Sequence, residues 1–314
     1  MVPKSPPAAR LAVLGGSGFL GAWLVELAQR NPSLAVASLS RDPSWFPRPR
    51  AGERFERLEV DALERDELET AFTAWKPTHV VLCAALSRLV ECRGDPERAH
   101  RANVDLPHRV ALLCRDRARL VHVSTDLVFG ATPPGPRGFD ELATPAPMND
   151  YGRSKLGGEL VLRVHARLDP RHLIVRLPLL YGPSFGRELG ASDSLFAALE
   201  RGETPRLFSD ERRSPLDVRD AAAALLELAL GDHVGLLHVG GPVAIDRYSF
   251  GMSALLERGF SAEKARASLM SCLRRDAGLE GERPADVVLD STRARAVLST
   301  RLRGPSEALA DRGD

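Results

Sequence analysis

Val13-Leu14-Gly15-Gly16-Ser17-Gly18-Phe19-Leu20-Gly21 joins a short apolar run to a helix-patterned segment. Leu11 to Leu14 reads as a buried strand, and Phe19, Leu20, Trp23, Leu24 and Leu27 recur at helical spacing. Between them, glycines stand at 15, 18 and 21 in a G-x-x-G-x-x-G pattern. Glycine permits a tight turn and lets backbone N–H groups approach a pyrophosphate. The helix start adds partial positive charge. At Gly21 no side chain holds helix and strand apart. A simple strand-to-helix turn is the alternative, but the position at the first strand favours a dinucleotide cradle.

Working outward, strands are expected at 34–39, 55–60, 80–83, 120–124 and 172–177, and helices at 63–75, 96–117 and 151–168. Strands separated by helices imply right-handed β-α-β units in an α/β, doubly wound parallel sheet of the Rossmann type. After residue 178 the pattern breaks up around Tyr181-Gly-Pro183 and Gly240-Gly-Pro242. A helix at 218–230 and a strand at 236–239 are expected to return to the main sheet. The expected division is therefore a dinucleotide-binding domain over 10–178 plus 216–240, and a small substrate-binding lobe over 179–215 and 241–314. The prolines suggest a short disordered lead-in over residues 1–9. The lobe should lie over the strand C-termini, where open α/β sheets bind ligands.

Composition narrows the function. Lysine and arginine number 43 against 42 aspartate and glutamate, so the basic excess of a nucleic-acid binder is missing. No uncharged apolar run reaches the ~18 residues of a membrane span, and the N-terminus carries no apolar run of signal-peptide length. Cys83, Cys92, Cys114 and Cys272 form no C-x-x-C pair and read as free thiols in a reducing cytoplasm. The eight histidines show neither H-x-H nor H-E-x-x-H spacing, so no metal site is expected.

The second strand should end near the adenosine ribose, where an acid favours NAD and an arginine favours the 2′-phosphate of NADP. Ser40 and Arg41 offer a hydroxyl and a planar donor fork, favouring NADP; Asp42 argues for NAD if it faces the ribose. Asp61-Ala62, after the third strand, suits adenine recognition, with helix capping by Asp61 as the alternative.

Tyr151-Gly-Arg-Ser-Lys155 places a phenol and an ammonium four apart, on one helix face. Tyrosine is a poor base at neutral pH, and a nearby ammonium favours its phenolate. A shift of ~3 units corresponds to ~4 kcal/mol, which suits a proton donor for carbonyl reduction with nicotinamide supplying hydride. Thr125, in Ser124-Thr125-Asp126, ends the fifth strand and can hydrogen-bond the carbonyl. A chance surface pair would explain Tyr-x-x-x-Lys alone, but not the glycine loop, strand-end hydroxyl and Tyr-x-x-x-Lys in that order.

These motifs resemble the extended branch of the short-chain dehydrogenase/reductase superfamily, over residues 10 to 298. The matching stretches are the glycine loop, Val123-Ser-Thr-Asp-Leu-Val-Phe129, Tyr151-Gly-Arg-Ser-Lys155, Arg176-Leu-Pro-Leu-Leu-Tyr-Gly-Pro183 and Arg213-Ser-Pro-Leu-Asp-Val-Arg-Asp220. Phe139-Asp-Glu141 and Arg283-Pro-Ala-Asp-Val-Val-Leu-Asp290 are most similar to the dTDP-4-dehydrorhamnose reductase group. The resemblance implies Thr125, Tyr151 and Lys155 as the catalytic set. Gly15, Ser17, Gly18, Phe19, Leu20, Ser40, Arg41, Asp61, Ala62, Cys83, Ala84 and Ala85, with Tyr151 and Lys155, are the expected cofactor-binding residues. Ser124, Asp126 and Arg213 are the expected substrate-binding residues, and Asn103 is an active-site support or a helix-breaking residue.

Leu127 stands where that group tends to carry tyrosine and where sugar-nucleotide 4,6-dehydratases carry glutamate, which argues against a dehydratase. Leu179 replaces a tryptophan near the sugar site. Arg213 suits a diphosphate, with a salt bridge to Asp210 or Glu211 as the alternative. The charges at 258–283 read as a solvated face. The expectation is an NADP(H)-dependent reductase of the 4-keto group of a nucleotide-activated deoxysugar, with NAD as the other cofactor and a homodimer as the default assembly. The Leu-Pro-Leu-Leu-Tyr-Gly pattern also resembles the regulatory β subunit of methionine adenosyltransferase, so an NADP-binding regulatory subunit is the alternative; an epimerase is the third reading.

Overall fold

A computed structural model describes residues 9–42 and 54–311. The lead-in expected over 1–9 lies outside them, apart from Ala9, which opens the first strand.

Six strands come in the expected order: β1 (Ala9–Leu14), β2 (Leu34–Ser40), β3 (Phe55–Glu59), β4 (His79–Leu82), β5 (Arg119–Thr125) and β6 (Leu173–Leu177). With Gly235–His238 they form one seven-stranded sheet, in which β1 lies between β2 and β4. Its pairings to both are parallel, with Leu14 opposite Leu39 and Leu82. From β1 the chain moves outward through β2 and β3, then crosses back to β4 on the other side of β1. The glycine loop follows β1, at the point where the strand order reverses, the position at which open α/β sheets bind ligands.

The helices are α1 (Phe19–Ala28), α2 (Arg65–Trp75), α3 (Leu89–Gly94), α4 (Pro96–His100), α5 (Leu106–Cys114) and α6 (Asp150–Ala166), followed among others by Val218–Leu230. The single helix expected over 96–117 departs from this: α4 runs into a π-helical turn at Arg101–Asp105 before α5. Pro107, in the first turn of α5, has no N–H to extend the ladder. The wider turn carries Asn103, whose amide pairs with the Leu86 backbone through both its atoms: Oδ1 accepts from N–H at 3.0 Å and Nδ2 donates to the carbonyl at 2.9 Å.

The chain forms two compact units. The first takes Met1–Val123, Gly157–Ile174 and Ala222–Gly235; the second takes Ser124–Leu156, Val175–Ala221 and Leu236–Asp314. The division expected from the sequence kept 10–178 together, whereas here 124–156 go with the second unit. In the first unit Leu11, Val13, Leu14, Val80, Val81, Leu82, Leu120 and Val121 are buried, as two-sided coverage of a parallel sheet requires. The second unit has its own core of Leu195, Ala254, Leu255, Ala265 and Leu269.

Candidate active site

In the first unit the glycine loop is drawn tight. Gly15 has φ +80°, and a Cβ on Gly21 would sit 2.2 Å from the Gly15 carbonyl oxygen. Helix α1 is preceded by Gly18 as its N-cap, with no capping side chain and no acid in its first turn. The first N–H groups of the helix therefore have no side-chain cap and carry the positive end of the helix dipole. Ser17 and Phe19 are half-buried beside it and Leu20 is buried.

Ser40 ends β2 buried, with its hydroxyl donating to the Asp42 carbonyl at 3.2 Å, whereas Arg41 is exposed. Asp61 and Ala62 follow β3. The Asp61 carboxylate accepts the Leu63 N–H at 2.9 Å, so part of its capacity shapes the turn into α2. The N–H groups of Cys83 and Ala84 both donate to the Leu14 carbonyl, holding the end of β4 against that of β1. Ala85 is exposed, and Asn103 fixes the next residue, Leu86.

Every other expected site residue lies in the second unit. Ser124 and Thr125 are buried at the end of β5, and Asp126 is fully buried. The Thr125 hydroxyl accepts the Leu127 N–H and donates to Asp126 Oδ1, both at 3.2 Å, closing a tight turn over Asp126–Val128. Helix α6 is pressed onto that turn: a Cβ on Gly152 would lie 2.1 Å from the Leu127 carbonyl oxygen. In its first turns Tyr151 is half-buried and Lys155 is 2% exposed.

Arg213 and Asp126, both expected at the substrate, hold each other. The guanidinium donates to Oδ2 at 2.7 Å and to Oδ1 at 2.6 Å, a bidentate pair. Arg213 also reaches Glu211 at 3.4 Å, while Asp210 pairs with Arg274 instead. Burial opposes the charge on Arg213, but the Asp126 and Glu211 carboxylates raise its pKa above the ordinary arginine value. Glu211 in turn accepts from Arg283 at 2.7 Å. Burial works against its charge too, yet Arg213, Arg283 and Arg247 hold its carboxyl below the usual range. Arg247 opens the helix Arg247–Glu257, and its Nη1 has no hydrogen-bond partner. Burial pushes its pKa down to about 10.

Three guanidiniums thus surround two carboxylates, leaving one positive charge over. Sequence reading offered Glu211 as a salt-bridge partner of Arg213, and that contact forms; it did not find Arg247 or the Arg213–Asp126 pair, because nothing in local spacing joins them. It also passed over Asn149, whose side chain starts α6 by accepting the Gly152 N–H at 2.8 Å. An asparagine three residues before a helical N–H is a legible capping signal.

Residues 9–312 match the family described as RmlD substrate binding domain. A dTDP-4-dehydrorhamnose reductase of Mycolicibacterium smegmatis is 31% identical over 235 residues, which are 74% of this chain and 68% of that protein. The methionine adenosyltransferase 2 subunit beta of Danio rerio is 27% identical over 297 residues, covering 91% of this chain and 84% of that one. The crystal structure of a Bacillus anthracis dTDP-4-dehydrorhamnose reductase in complex with NADP shares the fold at TM-score 0.76 and 21% identity, over 96% of this chain and 98% of that one. With the match running through both units, the chain belongs to the RmlD substrate-binding-domain family, within the extended short-chain dehydrogenase/reductase superfamily.

Proposed function

We propose that this chain is an NADP(H)-dependent oxidoreductase that reduces the 4-keto group of a nucleotide-activated deoxysugar. The observation that carries the reading is the start of α6, where the Tyr151 phenol stands one turn from the buried Lys155 ammonium, packed against the turn that holds Thr125. The Mycolicibacterium relative's activity and the NADP of the Bacillus structure support it.

The first unit fits the cofactor. The uncapped start of α1 and the side-chain-free approach at Gly15 and Gly21 suit a pyrophosphate, and exposed Arg41 suits a 2′-phosphate, with NAD as the lesser partner. When bound, the nicotinamide supplies the hydride.

In the second unit, Tyr151 donates the proton to the carbonyl oxygen, and the Lys155 ammonium makes the resulting phenolate affordable near neutral pH. Thr125 turns its hydroxyl to the same oxygen. Its present acceptor, Asp126, already has two shorter bonds from Arg213, so that proton is free to move. Arg213 binds Asp126, and the surplus charge it shares with Arg247 and Arg283 suits a substrate diphosphate. Four cysteines held as thiols support a cytoplasmic setting. A homodimer would cover exposed Leu160, Val164 and Leu168.

The test is NADPH oxidation with a dTDP-4-keto-6-deoxy sugar by the native protein beside Tyr151→Phe. Turnover by the native protein alone upholds the assignment and the proton donor. Tight NADPH binding by both without turnover would sink it and favour a regulatory subunit, and conversion without net NADPH consumption would indicate an epimerase.

A further inference from the structure

Asn149 does more than start a helix. An N-cap needs only an oxygen, and serine or aspartate provides one as well as asparagine does. Asn149 is 6% exposed and uses its amide nitrogen too: Nδ2 donates to the Glu282 carbonyl at 3.0 Å. Glu282 belongs to a turn closed by the Arg283 N–H on the Leu279 carbonyl at 2.8 Å. Arg274 braces the same turn, donating to the Arg283 carbonyl at 2.6 Å.

From Asn149 the contacts run in a closed circuit. The Glu282 carbonyl leads to Arg283, which bonds Glu211; Glu211 faces Arg213, and Arg213 grips Asp126. Leu127, next to Asp126, lies against Gly152, whose N–H returns to Asn149. One buried amide therefore joins the helix start that carries Tyr151 to the turn that carries Arg283. Only a side chain with an acceptor and a donor at this reach can make both bonds.

We propose that Asn149 is a positioning residue that ties the Tyr151 end of α6 to the Arg283 turn, so that the groups gripping the substrate's anionic end and the proton donor keep a fixed separation. The proposal rests on the reductase reading above. Proton transfer demands a donor placed within hydrogen-bond reach, and small displacements are costly to rate.

Asn149→Ser separates the two bonds, keeping a capping oxygen while dropping the donor to Glu282; Asn149→Ala removes both. The measurements are thermal midpoint, NADPH affinity, dTDP affinity, kcat/KM with the dTDP-4-keto-6-deoxy sugar, and amide exchange over 279–283. For Asn149→Ser we expect kcat/KM about tenfold lower, the scale of one buried bond lost. Exchange at 279–283 should quicken and the thermal midpoint should fall by only about 2–4 °C, with NADPH affinity as in the native protein. Asn149→Ala should lose stability in addition. Native kcat/KM in Asn149→Ser, or native exchange at 279–283, overturns the proposal. If the native protein itself does not turn over, the substrate reading has failed separately. Exchange and dTDP binding then decide: both unchanged in Asn149→Ser overturns the tie, and faster exchange with weaker dTDP binding upholds it.

Discussion

Arg213 and Asp126 are 87 residues apart in sequence, and their side chains meet through bonds of 2.6 and 2.7 Å with almost no solvent. Removing one partner of such a pair strands the other in a medium that solvates it poorly, at a cost of about 3–5 kcal/mol. Arg213→Ala should therefore lose stability on that scale in urea unfolding, and pairing it with Asp126→Ala should recover part of the loss. A single-variant loss below about 1 kcal/mol would show that the pair is not sealed from water. Local sequence could not reveal this partner. Spacing along a strand brought forward Asp210 and Glu211, and only Glu211 comes near Arg213. Tyr151 and Lys155 were legible because their relation is local: four residues on one helix fix a shared face before any tertiary contact forms.

Helix α6 and the turn over Asp126–Val128 come together at Gly152, where the Leu127 carbonyl occupies the space a Cβ would need. Gly152→Ala must push the helix and the turn apart. Overpacking of this kind costs about 1–3 kcal/mol, and because Thr125 and Tyr151 flank the contact we expect kcat to fall more than thermal stability does. A variant with native kcat and native melting temperature would mean that the close approach is dispensable. Among elements, short apolar runs located β1, β2, β4, β5 and β6 to within a residue or two, since two-sided burial leaves a compact signal. The region 89–114 was read less well. Leu89–Gly94 is a helix of only six residues, and the π-helical turn exists to deliver Asn103 to Leu86, a tertiary demand that periodicity does not record.

Across the whole molecule, buried histidines set the response to acid. His238 is fully buried, and its Nε2 lies 3.2 Å from Arg176 Nη1. Arginine can only donate, so Nε2 accepts, and Nδ1 carries the proton it donates to the Phe139 carbonyl at 2.9 Å. Burial, then the Arg176 charge, pushes the His238 pKa down to about 3. Burial likewise lowers His79, His165 and His172, and neither ring nitrogen of His172 has a hydrogen-bond partner. His238 stays neutral in the fold while the unfolded chain takes up a proton near pH 6.5, and the other three protonate at lower pH in the fold than in the unfolded chain. Unfolding therefore absorbs protons below that pH, and stability that is complete above it is lost as pH falls toward the folded values. His238 alone should remove about 1.4 kcal/mol per pH unit in this window. Asp169, held far below the ordinary carboxylate range first by its hydrogen bonds from Arg171, adds a loss only at lower pH, below about 4. Urea unfolding between about pH 7.5 and 4.5 should show stability falling from near 6.5, with His238→Gln shallower by one proton. A flat profile would mean that these rings protonate without unfolding. A native slope in His238→Gln would assign the loss to the other three histidines.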